Sequence, residues 1–124
     1  MLDTPNMTVP YFLGVNARMH SHRTAVVCED DRVTWRAFDE GINRAANMLL
    51  SFGLKKGEKV VLMMDTSIAM LELIFGIARA GGVLIPLNPT QPAEMLIYMI
   101  NKLEGARLFG TPTRSTRSRQ CGQA

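Results

Sequence analysis

The sequence predicts an α/β fold: a β-hairpin followed by helices that alternate with short, mostly parallel strands. Three observations carry that expectation. Apolar residues recur at spacings of three and four in three separate segments, and short runs of branched aliphatics lie between those segments. Glycines sit just past the helical stretches, where a left-handed residue closes a helix. Strands joined through helices are crossover units, and such units build a parallel sheet.

Residues 1–11 read as a flexible N-terminus, and residues 1–23 show no sustained periodicity apart from "VPYFLGV" (9–15), a short stretch of helical character. In "TAVVCEDDRVTW", Ala25–Cys28 and Arg32–Thr34 are β-prone runs with "EDD" between them, which spells a hairpin. Trp35–Phe52 is the clearest helix. Trp35, Phe38, Ile42, Ala45 and Leu49 form one apolar stripe, and Arg36, Glu40, Asn43, Arg44 and Asn47 fall off it. Thr34 is placed to cap its first turn and Gly53 to end it.

"LKKGEK" then turns the chain into a strand over Val60–Met64, and "DTS" (65–67) offers three candidate caps for a second helix, Ile68–Ala80. That helix is apolar almost all the way round, with Glu72 and Arg79 its only charges. A helix apolar on every side needs cover on every side, so the chain is expected to be a fragment or one half of an assembly. Gly81-Gly82, a strand Val83–Leu87 and "NPTQPAE" follow, with Pro92 and Glu94 marking a third helix to about Leu103. Its stripe is Leu96, Ile100 and Leu103, with Met99 alongside. Gly105 stops it, and "ARLF" (106–109) is a last short strand. No internal repeat is present.

The 124 residues fit a single domain. The formal charge of +3 belongs wholly to Arg114, Arg117 and Arg119, because acids and bases cancel over the rest of the chain. A neutral body with a basic end argues against a nucleic-acid face. Residues 110–124, "GTPTRSTRSRQCGQA", contain no aliphatic larger than Ala and cannot offset their ordering entropy. They are expected to be a disordered basic tail, and a frameshift product foreign to the domain is one reading of them. Cys28 and Cys121 are far apart, and Cys28 in its apolar run reads as a small buried hydrophobe. With no apolar run near the roughly 20 residues of a membrane span and no basic leader before Asp3, the chain is expected to be cytoplasmic.

The glycine pair in "ARAGGVLIPLNP" (78–89) raises the question of a phosphate cradle. Such a cradle runs strand, glycines, helix, so that free N–H groups face the anion. Here the order is helix, glycines, strand, which presents carbonyls and the negative dipole end. Gly81 and Gly82 therefore read as an architectural joint. The turns of correct polarity, "DTS" and "NPTQP" (88–92), are not Gly-rich, Asp65 would repel phosphate, and both read as helix caps. His20-Ser21-His22 lacks a third metal ligand, and Asp30-Asp31 occupies a solvated turn. Met63, Met64, Met70, Met95 and Met99 read as core. Consequently no catalytic, cofactor-binding or metal-binding residue is assigned.

"VTWRAF" (33–38), followed some forty residues later by "ARAGGVLIPLNP", resembles the first two core motifs of the adenylate-forming (AMP-binding) superfamily. The first motif has the form L-[TS]-Y-x-E-L and is matched by Val33–Phe38. The second, L-K-A-G-x-x-[YV]-[VL]-P-[LI]-[DN], is matched by Ala78–Asn88. The likeness spans about residues 12–109 and implies an N-terminal α/β subdomain of such an enzyme, cut short before its ATP-binding machinery. Asn88-Pro89 looks more like the acyl-CoA synthetase (fatty-acid–CoA ligase) branch than the amino-acid-activating one. The family uses a carboxylic acid, ATP with Mg2+, and CoA. Its Thr/Ser/Gly-rich phosphate loop, its Thr-Glu motif, its ribose-binding Asp and its catalytic Lys have no counterpart here. The resemblance therefore implies a chain that binds no cofactor and is inactive alone. Two other readings are an α/β interaction module that self-associates or pairs through exposed apolar helices, and a flavodoxin-like nucleotide binder.

Overall fold

A computed structural model of the chain describes residues 8–103 and 105–110. The first seven residues lie outside that description, as does the expected basic tail (110–124) except Gly110, which ends the last strand in register with Met63 instead of opening the tail. Helix α1 (Val9–Met19) opens the fold, with Pro10 in its first turn, where a missing N–H costs nothing. It therefore begins inside the span expected to be irregular and runs past the short helical stretch read from the sequence. Leu13 explains the difference: it is buried against Phe38 and Ile42 of the next helix, and tertiary contact supplies what a weak local pattern does not.

Strands β1 (Thr24–Cys28) and β2 (Asp31–Thr34) form the expected antiparallel hairpin, a two-stranded sheet of its own. Its two-residue loop holds Glu29 at φ 55°, a left-handed conformation usual for such turns. Helix α2 (Trp35–Ser51) follows without a break, and Thr34 accepts from the Ala37 N–H at 3.2 Å to cap it. Phe38, Ile42, Ala46 and Leu49 are buried on its core face; Ala45, read as part of the stripe, is half-buried and turned toward helix α3.

The C-terminus of α2 closes in a Schellman motif. Gly53, at φ 86°, donates to Leu50 O at 2.9 Å, and Leu54 donates to Leu49 O at 3.1 Å. Leu54 and Leu49 then join the same core cluster, the apolar contact that accompanies this turn.

A three-stranded parallel sheet has the order β4-β3-β5, with β3 (Lys59–Met63) between β4 (Val83–Pro86) and β5 (Arg107–Gly110). Val60, Val61 and Leu62 of β3 are at most 1% exposed, the continuous burial expected of a central parallel strand covered on both faces. Helix α3 (Ile68–Arg79) links β3 to β4, and α4 (Ala93–Lys102) links β4 to β5. Helices α2 and α3 cross at close range because both carry small residues there. A Cβ added to Gly76 would lie 2.8 Å from the Ala45 Cβ and 3.2 Å from the Ala46 N.

The core has two parts. Leu49, Leu54, Val60 and Ile77 form one beneath the sheet, and Leu13, Phe38 and Ile42 form the other between the helices. Phe38 meets Phe75 edge-on at 5.9 Å and 88°, the geometry the ring quadrupoles favour. Each such side chain contributes about 1.5–3 kcal/mol on full burial. Cover is incomplete elsewhere. In α3 only Gly76 and Ile77 are fully buried, and α4 has no buried residue at all. Its predicted stripe does face inward, since Leu96, Met99, Ile100 and Leu103 are half-buried while Met95, Ile97 and Tyr98 are exposed.

Candidate functional site

Ligands of open parallel sheets sit at the carboxyl ends of the strands. Parallel pairing brings two turns to that edge: residues 64–67 after β3, and residues 87–92 after β4. The Leu87 N–H donating to Leu62 O at 2.9 Å extends the ladder to this rim. Of the "DTS" candidates, Ser67 is the cap, accepting from the Met70 N–H at 3.1 Å. In the second turn the Asn88 Oδ1 accepts from both the Thr90 N–H, at 3.0 Å, and its hydroxyl, at 2.7 Å. This is a self-contained Asx turn. Pro92 stands at the N-cap of α4 and supplies no side-chain bond. Ser67, Asn88 and Thr90 are thus engaged in building turns and starting a helix.

The glycine pair lies at the opposite edge. Gly81, at φ 89°, donates to Ala78 O at 3.2 Å, and Gly82 donates to Ile77 O at 2.9 Å, a second Schellman motif closing α3. Gly81 O in turn accepts from the Gly57 N–H at 2.8 Å, which ties the two turns at the amino ends of β3 and β4 together. A Cβ on Gly82 would stand 3.1 Å from Ile77 and 3.2 Å from Leu54. Carbonyls and packed aliphatics surround the pair, as a joint requires.

His20, His22, Asp30 and Asp31 are all exposed. Among the described residues no three His, Cys, Asp or Glu side chains gather to hold a metal ion. No helix among them is long and apolar enough to cross a membrane.

Four charged residues, Arg79, Arg107, Glu58 and Glu72, take roles that the sequence reading did not assign. Arg79, a lone charge on an apolar helix, reaches Asp39 Oδ1 at 2.8 Å, Asn43 Oδ1 at 2.8 Å and Pro10 O at 3.3 Å. One guanidinium therefore fastens α3 to both α2 and α1. Arg107 of β5 pairs with Glu58 at 2.9 Å and donates to Phe52 O at 2.7 Å and Gly53 O at 3.0 Å, capping the C-terminus of α2. The hydrogen bond from Arg107 and that from the Lys55 N–H hold the Glu58 carboxyl below its ordinary range. Glu72 behaves oppositely. Burial between α2 and α3 pushes its carboxyl upward, and the weaker pull of Arg44 does not cancel that. The partners of Arg79 and Arg107 are distant in sequence, and no local pattern announces them.

The sequence profile of the "AMP-binding enzyme" family matches residues 13–123. Gramicidin S synthase 2 of Brevibacillus brevis is 33% identical over 101 residues, which are 82% of this chain and 2% of that protein. Phosphinothricin tripeptide synthetase PhsC of Streptomyces viridochromogenes is 36% identical over 96 residues, 77% of this chain and 9% of that protein. Among solved structures, the Klebsiella oxytoca NpsA N-terminal subdomain superposes with a TM-score of 0.80 at 20% identity, covering 86% of this chain and 28% of that one. The N-terminal domain of FACL13 from Mycobacterium tuberculosis superposes with a TM-score of 0.76 at 25% identity, covering 82% and 26%. The chain spans a small part of every relative named, and its fold is that of the N-terminal subdomains of adenylate-forming enzymes.

Proposed function

The chain belongs to the AMP-binding enzyme family, and from that premise we propose that it is the N-terminal scaffold of an enzyme that activates a carboxylic acid by ATP-dependent adenylation. The observation that supports this reading is the use to which both motifs are put. Thr34 of the first motif caps α2, and Ala78–Asn88 of the second closes α3 and forms β4. Each is a joint between elements, and each leaves charge stabilisation at phosphate to residues elsewhere.

The curated relatives named above are peptide synthetases, which favours an amino acid as the substrate. Asn88-Pro89 and the likeness to FACL13 favour the second reading, a fatty acid carried to CoA. On the scaffold reading neither choice is made by these residues. A chimera tests this: residues 13–109 replace the matching segment of a gramicidin S synthase 2 adenylation domain. The scaffold reading expects ATP–pyrophosphate exchange with the host's own amino acid, and none from the 124-residue chain alone. A folded chimera that changes its preferred acid, or exchange by the isolated chain, overturns it.

A further inference from the structure

Between α2 and α3 the residues Gly41, Ala45 and Met48 face Ala69, Glu72 and Leu73 across a groove of about 260 Å³. Its lining is apolar except for Glu72 and Arg44. The two charges are not equivalent. Arg44 is exposed, so water screens it, whereas Glu72 is half-buried in the middle of an otherwise apolar helix. Among the described residues no hydrogen bond or ion pair holds the Glu72 carboxylate. The carboxylate finds room against α2 only because Gly41 has no side chain; a Cβ there would overlap it. A carboxylate set into an apolar groove without a bonded cation is chemically incomplete.

We propose that this groove is a docking site for a lysine side chain presented by a partner polypeptide. The ammonium would pair with Glu72 and the four-carbon stem would lie on Ala45, Met48 and Leu73, as lysine stems cover apolar surface elsewhere. The volume suits one long side chain and is too small for a helix. Met48, 38% exposed, is flexible enough to close over the stem. This inference does not depend on the adenylation reading, since it rests on the α2–α3 surface alone.

The test is titration of the isotope-labelled full chain with N-acetyl-lysine methylamide, followed through the backbone amides. Saturable shifts are expected at Gly41, Ala45 and Ala69. They weaken at least tenfold in Glu72→Gln, which keeps the shape and removes the charge. They weaken equally in Ala69→Leu, which fills the groove from an exposed position. The norleucine analogue, with the same stem and no ammonium, produces none. Affinity rises with pH as Glu72 ionises, Arg44 being the one charged group among the described residues that acts on it. Absence of shifts, unchanged binding by a folded Glu72→Gln, or equal binding of norleucine overturns the proposal. So does a groove that takes n-butylammonium but rejects the blocked lysine, because a polypeptide could not then present the group.

Discussion

Gly76→Ala tests the close crossing of α2 and α3. In an isolated helix the change is favourable by about 1 kcal/mol, since alanine carries less backbone entropy to lose. Here the new Cβ would fall 2.8 Å from the Ala45 Cβ, against a comfortable carbon–carbon separation of about 3.5–4.0 Å. Neither atom can rotate away, so the helices must part by roughly 1 Å and overpacking costs about 1–3 kcal/mol. The net expectation is a loss of about 0–2 kcal/mol despite the better propensity. The sharper measurement is the double-mutant cycle with Ala45→Gly, which deletes the opposing methyl. Alone, that change costs about 1 kcal/mol of helix propensity. Combined with Gly76→Ala it relieves the methyl–methyl overlap and leaves the 3.2 Å approach to the Ala46 N, so the pair should be more stable than the sum predicts by about 1–2 kcal/mol. Urea unfolding followed by far-UV circular dichroism resolves this, because 1 kcal/mol moves the midpoint by roughly 0.5 M. If Gly76→Ala stabilises by the full propensity gain and the two changes add within about 0.3–0.5 kcal/mol, the crossing is not as tight as described.

Two further outcomes are expected. Arg107→Met should lower stability at neutral pH by removing the Glu58 pair and the cap on Phe52 O and Gly53 O. Because the folded Glu58 carboxyl lies below its ordinary value of 4.5, its contribution is complete above that pH and is lost as pH falls through the folded value. The gap between wild type and variant should therefore narrow in acid, and a pH-independent gap in the urea midpoint would count against the ion pair. Gly81→Ala should cost about 1–2 kcal/mol, since a side chain is strained at a positive φ. Its nearest neighbour, Lys56 Cγ at 3.5 Å, leaves room for the methyl, so unchanged thermal stability would mean that the turn relaxes.

Much of the fold was legible locally. The hairpin, α2, β3, α3, β4 and the ends of α4 fall within a residue or two of the positions read from apolar spacing, caps and glycines. Gly53 and Gly81 illustrate why: each signal and the hydrogen bonds that fulfil it lie within five residues of chain. The extent of α1 was less legible, because its anchor, Leu13, is defined by Phe38 and Ile42. The branch of the family was not legible either. Asn88 builds its own turn with Thr90, a local task that does not discriminate between acids.

The sequence by itself determined the order of elements, the inward faces of α2 and α4, the polarity of the glycine joint and the family. The first three follow from short-range periodicity and turn chemistry, and the family from the resemblance of two motifs, Val33–Phe38 and Ala78–Asn88, to those of known enzymes. Only the tertiary structure decided that β3 is the central strand, that Arg79 clamps three helices, that Arg107 reaches back to α2, and that Glu72 lies in an apolar groove. Those outcomes depend on which surfaces meet after crossovers of many residues, and burial and charge pairing are properties of the meeting rather than of either segment.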